Sequence, residues 1–453
     1  MTVVTVTEPP RDRLRVGLWT APVTAGVMAA AAAVAVATTW WPLLVIPGAV
    51  AGGVLVAALV RLDLALLLFA AAVPLEYSVS LGNPQLTVVK LAGALCFASF
   101  AIQLATRRRR LRLDATHAMV LGILSLILVA DVAATSLGDA ALVTVRYVSY
   151  AGLYFVLTAF AGDHRTLERF VWVLSVASAI AGVLAVRNLL IGFDTRATPT
   201  YGDANDLAYI LSTTLPLTLW LLRRRGVPRL VVLTLVAVIG IADALTLSRG
   251  AAVGLGCALV WMVVTHRSQL RAVLASSMIV AACIGVVAVT QQAQISLALR
   301  DKGIVAASNV DHRFDAWRSA LLLIAAHPLI GVGPGNFQLY TAAVDNRPPT
   351  PDDPTVVHNT YLEVGAEVGL PALALLLAYV LTSFRRLHIA MRRQVGPPSF
   401  AIAATASMIV AVTAALTLSE QYYAPLWLMG AFATCLWQEA KASPDVASVD
   451  PAP

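Results

Sequence analysis

Charge is scarce in this chain: 13% of its 453 residues are Asp, Glu, Lys or Arg, where a soluble domain carries about a quarter. That deficit, with 59% hydrophobic residues and a mean hydropathy of +0.79, excludes a soluble multidomain protein and leaves a polytopic membrane protein. Cysteine is scarce too. Cys96, Cys257, Cys283 and Cys435 all fall in apolar runs without a CxxC pair, which excludes a disulfide framework or thiolate cluster and makes them small buried hydrophobes. Metal-binding patterns are lacking: there is no DxD pair and no His/Cys cluster, and Asp352-Asp353 in a Pro-rich stretch read as hydrated carboxylates. No cofactor is implied. The net charge of +7 invites a nucleic-acid partner, but the basic residues sit in short runs between apolar stretches, as the positive-inside rule places them, so none is expected.

What the chain has in abundance is apolar runs long enough to cross a bilayer, about 20 residues each. They occur near 18–39, 41–60, 62–80, 86–106, 115–137, 140–161, 168–191, 205–222, 230–247, 250–265, 272–290, 360–383, 400–419 and 422–438. Close junctions at 41–80 and 400–438 leave a count of about 12 to 14. The expected fold is therefore all-α, a polytopic membrane bundle. Arg11-Asp12-Arg13-Leu14-Arg15 precedes the first run and no clear cleavage site follows, so 18–39 reads as an uncleaved first helix after a cytoplasmic tail of residues 1–17. Arg107 to Arg110 with Arg112, His164-Arg165 with Arg169, Arg223 to Arg225 with Arg229, Arg267 with Arg271, and Arg385-Arg386 with Arg392-Arg393 fall at alternate junctions. Placing both termini inside makes every dense cluster cytoplasmic.

The opposite face then holds a short loop near 192–204 and a long one at 291–359, between eleven spans in 18–290 and three in 360–438; a cytoplasmic tail follows at 439–453, disordered from Ala442 on. Asp311 to Ala326 predicts an amphipathic surface helix with Phe314, Trp317, Leu321 and Ile324 on one stripe. His327-Pro328 and Gly331-Val332-Gly333-Pro334-Gly335 end it, and Arg347 to Pro354 forms a stiff turn region.

Polar groups converge after this loop. His358 and Asn359 precede a span that opens with Glu363 and Glu367, four residues apart on one helical face, and Arg300, Arg313 and Arg318 lie upstream. A lone loop histidine is ordinarily solvated; with near-neutral pKa and carboxylates beneath it, His358 also suits removal of a proton from a sugar hydroxyl. Ser248-Arg249-Gly250 reads either as a tight turn with a snorkelling arginine or as an anion site, since a guanidinium fork matches phosphate oxygens. Arg313 and Arg318 are each ordinary surface residues alone, but outward arginines near one histidine would neutralise a diphosphate. Lys90, Arg146 and Arg187 fall inside spans near their outer ends, either as functional charges or paired structurally with Asp131 or Glu76.

These residues resemble the O-antigen ligase and O-antigen polymerase superfamily of bacterial envelope glycan enzymes. Arg313 to Trp317 followed by His327-Pro328-Leu329-Ile330-Gly331-Val332-Gly333-Pro334-Gly335-Asn336-Phe337 is similar to its Arg, Trp, PLxGxGxGxF run. His358, Asn359 and Gly369 match its His-Asn-x9-Gly signature, with Glu367 where the family usually has glutamate; Ser248-Arg249-Gly250 and Asn205 with Ala208 before Pro216 also look like family positions. The likeness spans about 200 to 385. It implies a fold like the C-type glycosyltransferases and an inverting, metal-independent transfer of a glycan from an undecaprenyl-diphosphate carrier, outside the bacterial cytoplasmic (inner) membrane. Arg249 and Arg313 would hold the diphosphate and His358 would act as base, with Arg318, Asn359, Glu363, Glu367, Asn205, Arg146 and Lys90 as substrate-binding candidates. The acceptor would be a glycan, lipid or protein among the membrane lipids. Val260 stands eleven positions after Arg249, so the Arg-x10-Gly pattern of some polymerases is absent and the match favours the ligase type. A lipid-glycan transporter or flippase is the alternative, motivated by the intramembrane charges. Transporters commonly show repeated halves, which this chain lacks. An inactive scaffold is the third reading.

Overall fold

The computed structural model describes residues 42–76, 78, 87–109, 111–224, 226, 228–266, 312–344 and 356–442. The expected spans at 18–39 and 272–290, the stretch holding Arg300, the Arg347–Pro354 turn region, the tail at 1–17 and residues 443–453 lie outside the described residues, while residues 439–442 of the expected carboxy-terminal tail are helical. The chain divides into Met1–Val60, of which the helix α1 (Pro42–Val60) is described, and Arg61–Pro453, which holds everything else. In the second unit the helices are α2 (Leu62–Ala72), α3 (Val88–Ala105), α4 (Ala115–Asp131), α5 (Leu137–Thr158), α6 (His164–Leu190), α7 (Ala204–Leu221), α8 (Arg229–Leu245) and α9 (Arg249–Thr265). They continue with α10 (312–326), α11 (Phe337–Val344), α12 (Thr360–Glu367), α13 (Leu370–Arg393), α14 (Phe400–Ala414) and α15 (Ala424–Ala442). No strand occurs among the described residues.

An all-helical answer is what an apolar chain must give, because lipid offers backbone amides no partner but their own helix. Short polar residues mark where each run begins. Thr87, Ser136, Asp163, Asp203 and Asn359 cap α3, α5, α6, α7 and α12 by accepting first-turn backbone N–H groups, and Asp114 opens α4 with a capping box shared with His117. By length and apolarity, α3, α5, α6 and α13 can each cross a membrane, with α2, α4, α9 and α14 as shorter apolar helices beside them. The protein is a polytopic helical membrane protein.

Most expected spans match observed helices within a few residues. Two are interrupted for visible reasons. The run at 62–80 leaves α-helix after Ala72 and turns through a 3-10 segment at Val73–Leu75 around Pro74. The run at 360–383 is divided into α12 and α13, because Gly369 adopts φ 97 and ends the first helix. The amphipathic helix is present at 312–326, but its buried stripe is Ala316, Ala320 and Leu323, with Trp317 and Ile324 partly covered. Phe314 and Leu321 face outward. Small alanines let that helix approach its neighbours closely, so they take the inner face.

At the centre, α15 packs against α5, α13 and α14, while α14 also packs on α7 and α9. A buried ion network fastens one end. Arg386 Nη1 lies 3.0 Å from Asp114 Oδ2 and donates to Thr116 Oγ1 (2.7 Å) and Thr434 Oγ1 (3.0 Å), joining α4, α13 and α15. Burial alone would push the Asp114 carboxyl up, but hydrogen bonds from His117, Arg386 and Thr116 hold it well below the usual carboxylate range. Arg386 lies 16 residues along α13 from Leu370, about 24 Å at 1.5 Å per residue. The polar groups described next therefore occupy the other end of the bundle.

Candidate functional site

The site is built on the turn from Ala415 to Tyr423 between α14 and α15. Thr360 is its main fastener: its backbone N–H donates to Ala415 O (2.9 Å) and Leu418 O (2.8 Å), its Oγ1 donates to Leu418 O (2.9 Å), and Glu420 N donates back to Oγ1 (2.8 Å). His358, two residues earlier, donates its backbone N–H to Ser419 Oγ at 3.0 Å. Ser419 Oγ in turn donates to Glu363 Oε2, and Gln421 Nε2 donates to Glu363 Oε1 at 2.8 Å. Glu363 is thus a buried bracket that holds the turn under His358.

From the other side, Gly250 in the first turn of α9 meets the same loop. A Cβ there would lie 2.4 Å from Thr417 Oγ1, so only glycine lets the Arg249 backbone come this close. Arg249 is exposed at the first position of α9, where a cation opposes the helix dipole. A guanidinium placed there reinforces the positive potential of the helix start, which suits an anion. Leu247 (φ 54) and His358 (φ 54) are both non-glycine residues with left-handed backbone, a strained state that clusters at functional positions.

Electrostatics place three sequence candidates in one neighbourhood. Burial and the charge of Arg249 both press the Arg313 guanidinium pKa down, and Asp203 opposes them. Burial and the charge of Arg313 lower the His358 imidazole to about 4, again opposed by Asp203. Arg313 therefore neighbours Arg249, His358 and Asp203, and Asp203 also neighbours His358. Asp203 was not among the sequence candidates, since an Asp before a helix reads as a cap; it does cap α7, with Oδ1 accepting from Asn205 N at 2.5 Å, and its Oδ2 lies 3.6 Å from Arg196 Nη2.

The other candidates separate by position. Arg318 is exposed and lies about 140° around α10 from Arg313. Asn359 spends its Oδ1 capping α12 through Tyr361 N (3.0 Å) and Leu362 N (3.1 Å). Asn205 is half-buried in the first turn of α7. Arg146 and Lys90 are electrostatic neighbours of Glu76, which accepts from Tyr150 OH at 2.9 Å; Arg146 also lies over the Tyr422 and Tyr423 rings, 5.5 and 5.8 Å from their centroids. Asp131 is bonded instead by Thr144 Oγ1 (2.9 Å). Among the described residues, no group of three or more His, Cys, Asp or Glu is arranged to hold a metal ion.

Glu367 and the glycine run form a latch. Glu367 Oε1 accepts from Phe337 N (3.2 Å), Glu367 O accepts from Gly333 N (2.9 Å), and Ala366 O accepts from Val332 N (3.0 Å). Leu370 N donates to Pro328 O at 2.8 Å, and Asn336 Oδ1 accepts from Ser136 N at 2.7 Å, tying the run to both α13 and α5. Residues 234–377, which hold Arg249, Arg313, this latch and His358, match the family model described as O-antigen ligase. That segment is similar to the O-antigen ligase family. A comparison with curated proteins found no match.

The glycines of this matched segment are structural. Gly331 has φ 71, and a Cβ on it would lie 2.3 Å from the Glu367 carbonyl carbon; Gly369 has φ 97 and faces Leu329 O at 2.5 Å. Gly331→Ala should cost at least about 2 kcal/mol through left-handed strain and backbone overlap. A thermal unfolding midpoint unchanged from native would contradict the latch.

Proposed function

We propose that this chain is an O-antigen ligase-type glycosyltransferase that moves a glycan from an undecaprenyl-diphosphate carrier to an acceptor hydroxyl. The supporting observation is that Arg313 neighbours both Arg249 and His358. Cations brought together in a partly dry site repel each other, which costs free energy unless an anion lies between them. A diphosphate fits that requirement in charge and in its match to planar guanidinium forks.

The chemistry follows from those positions. The acceptor oxygen attacks the anomeric carbon as the bond to the diphosphate oxygen breaks, with inversion. Arg249 and Arg313 stabilise the charge that grows on the leaving diphosphate. The hydroxyl proton passes to the His358 imidazole, which is neutral near pH 7. The leaving group's charge is met by guanidinium groups, so the reading requires no metal and expects activity to survive chelation. On this reading the Asp114–Arg386 end, near the dense arginine clusters, is cytoplasmic and the site lies on the external face of the cytoplasmic membrane, with 291–359 as an external loop. If the acceptor were another growing chain, the same residues would run a polymerase; lost chain length in a deletion strain marks that case, and unattached carrier-linked polymer marks a ligase. Translocation in liposomes without a covalent product would instead favour transport.

The pH dependence tests the arrangement. The free protein's His358 is held near 4, largely by burial and then by Arg313. A bound diphosphate would offset the Arg313 charge and raise the imidazole pKa. The acid limb of kcat, which reports the bound state, should therefore fall at higher pH than the acid limb of kcat/KM. Coincident limbs would count against a diphosphate beside this histidine.

A further inference from the structure

His358 holds its backbone at φ 54, a left-handed state that a residue with a Cβ keeps only where its surroundings enforce it. One chain of hydrogen bonds reaches that residue. Ser419 Oγ accepts the His358 N–H at 3.0 Å, and the same hydroxyl donates its proton to Glu363 Oε2. A hydroxyl has a single proton to give, so the bond to Glu363 fixes its direction and leaves its lone pairs for the His358 N–H. Glu363 is buried, and Gln421 Nε2 holds its other oxygen at 2.8 Å, so the carboxyl cannot turn away. The turn itself does not need this chain. Four bonds through Thr360 already join α12 to the stretch from Ala415 to Glu420, and none of them uses the Ser419 side chain. Asn359 caps α12 independently. Deleting the Ser419 hydroxyl would therefore spare the scaffold and release one residue, His358. Because φ is the rotation about N–Cα, relaxing from 54° to the common value near −60° would swing the side chain by roughly 115° against the preceding peptide.

We propose that Ser419, with Glu363 and Gln421 behind it, is a positioning residue whose hydroxyl holds His358 in the left-handed backbone from which the imidazole reaches the acceptor hydroxyl. The inference rests on the transferase reading for the acceptor, and on the hydrogen-bond chain alone for the hold on His358. It assigns Glu363 to the histidine rather than to a substrate. A small displacement of a reacting group costs far more rate than the lost contact costs stability, so the effect falls on turnover. Gln421 Oε1 has no hydrogen-bond partner among the described residues, so its amide has an acceptor to offer if it turns over. In Glu363→Gln, Ser419 donates to the new amide's oxygen and the new NH2 donates to Gln421 Oε1, which keeps the chain closed.

The test uses the full chain in lipid nanodiscs. It pairs transfer kinetics from an undecaprenyl-diphosphate-linked oligosaccharide with NMR of isotope-labelled histidine, where His358→Ala identifies the His358 signals. Ser419→Ala should lower kcat by about ten- to a hundredfold with the donor KM close to native. It should also shift the His358 Cα and amide-proton signals from their native positions. Ser419→Thr keeps a hydroxyl and should restore both readouts. Glu363→Gln should fall between Ser419→Ala and the native chain in both. A folded Ser419→Ala chain with native His358 signals, or with native kcat, would overturn the positioning role, as would a loss that appears only in KM or that Ser419→Thr leaves in place. Shifted His358 signals in Ser419→Ala, beside a native chain that transfers no glycan, would sink the transferase reading and keep the hold on His358. Native transfer with unmoved signals would do the reverse.

Discussion

Arg313→Ala is expected to lower kcat for transfer from an undecaprenyl-diphosphate-linked oligosaccharide by about a hundred- to a thousandfold, the usual cost of deleting one group aimed at developing charge. Arg313 has burial on one side and Arg249 on the other, and both press against its charged form. A guanidinium kept charged in such a place interacts strongly with an arriving diphosphate, because the field is poorly screened there. Arg313→Lys should recover part of the rate, since an ammonium supplies the charge but not the paired donors of the fork. Arg249, exposed at the start of α9, should cost less when changed to alanine. Turnover of a folded Arg313→Ala chain at the native rate would remove the diphosphate assignment.

The second large effect concerns His358. His358→Ala should reduce kcat by about a hundredfold to ten-thousandfold, the range for losing a positioned general base, while the KM for the lipid-linked donor stays close to native. The backbone at this position supports that separation: the N–H of His358 is held by Ser419, and alanine keeps the N–H. Left-handed φ at this residue is also tolerable, if strained, for alanine. A fall in donor affinity with unchanged kcat would recast His358 as a binding group.

The described membrane helices were legible in the sequence because hydrocarbon leaves the backbone few choices, but the caps at Ser136 and Asp163 start α5 and α6 three and four residues before the expected 140 and 168. Gly369 was legible as a signature residue but not as a helix break, since apolar periodicity continues across it from Val364 to Leu373. Arg249, Arg313 and His358 stood out because charge is rare in this chain, and they do share one neighbourhood. Asp203 and Glu420 did not stand out. The first was hidden by its role as a cap. The second was hidden in a hairpin turn between apolar runs, where Ser419-Glu420-Gln421 is a polar interruption too short to register against its surroundings. Hydropathy averages over about 20 residues, so a three-residue interruption vanishes into it.

The stretch that matches the family ends at residue 377, yet the turn that fastens His358 begins at Ala415. A chimaera grafting only the matched segment into a relative would carry the histidine without its mooring, unless the recipient's closing hairpin offered a serine or equivalent acceptor at the same height. Ancestry and engineering alike would have to move the two as a pair.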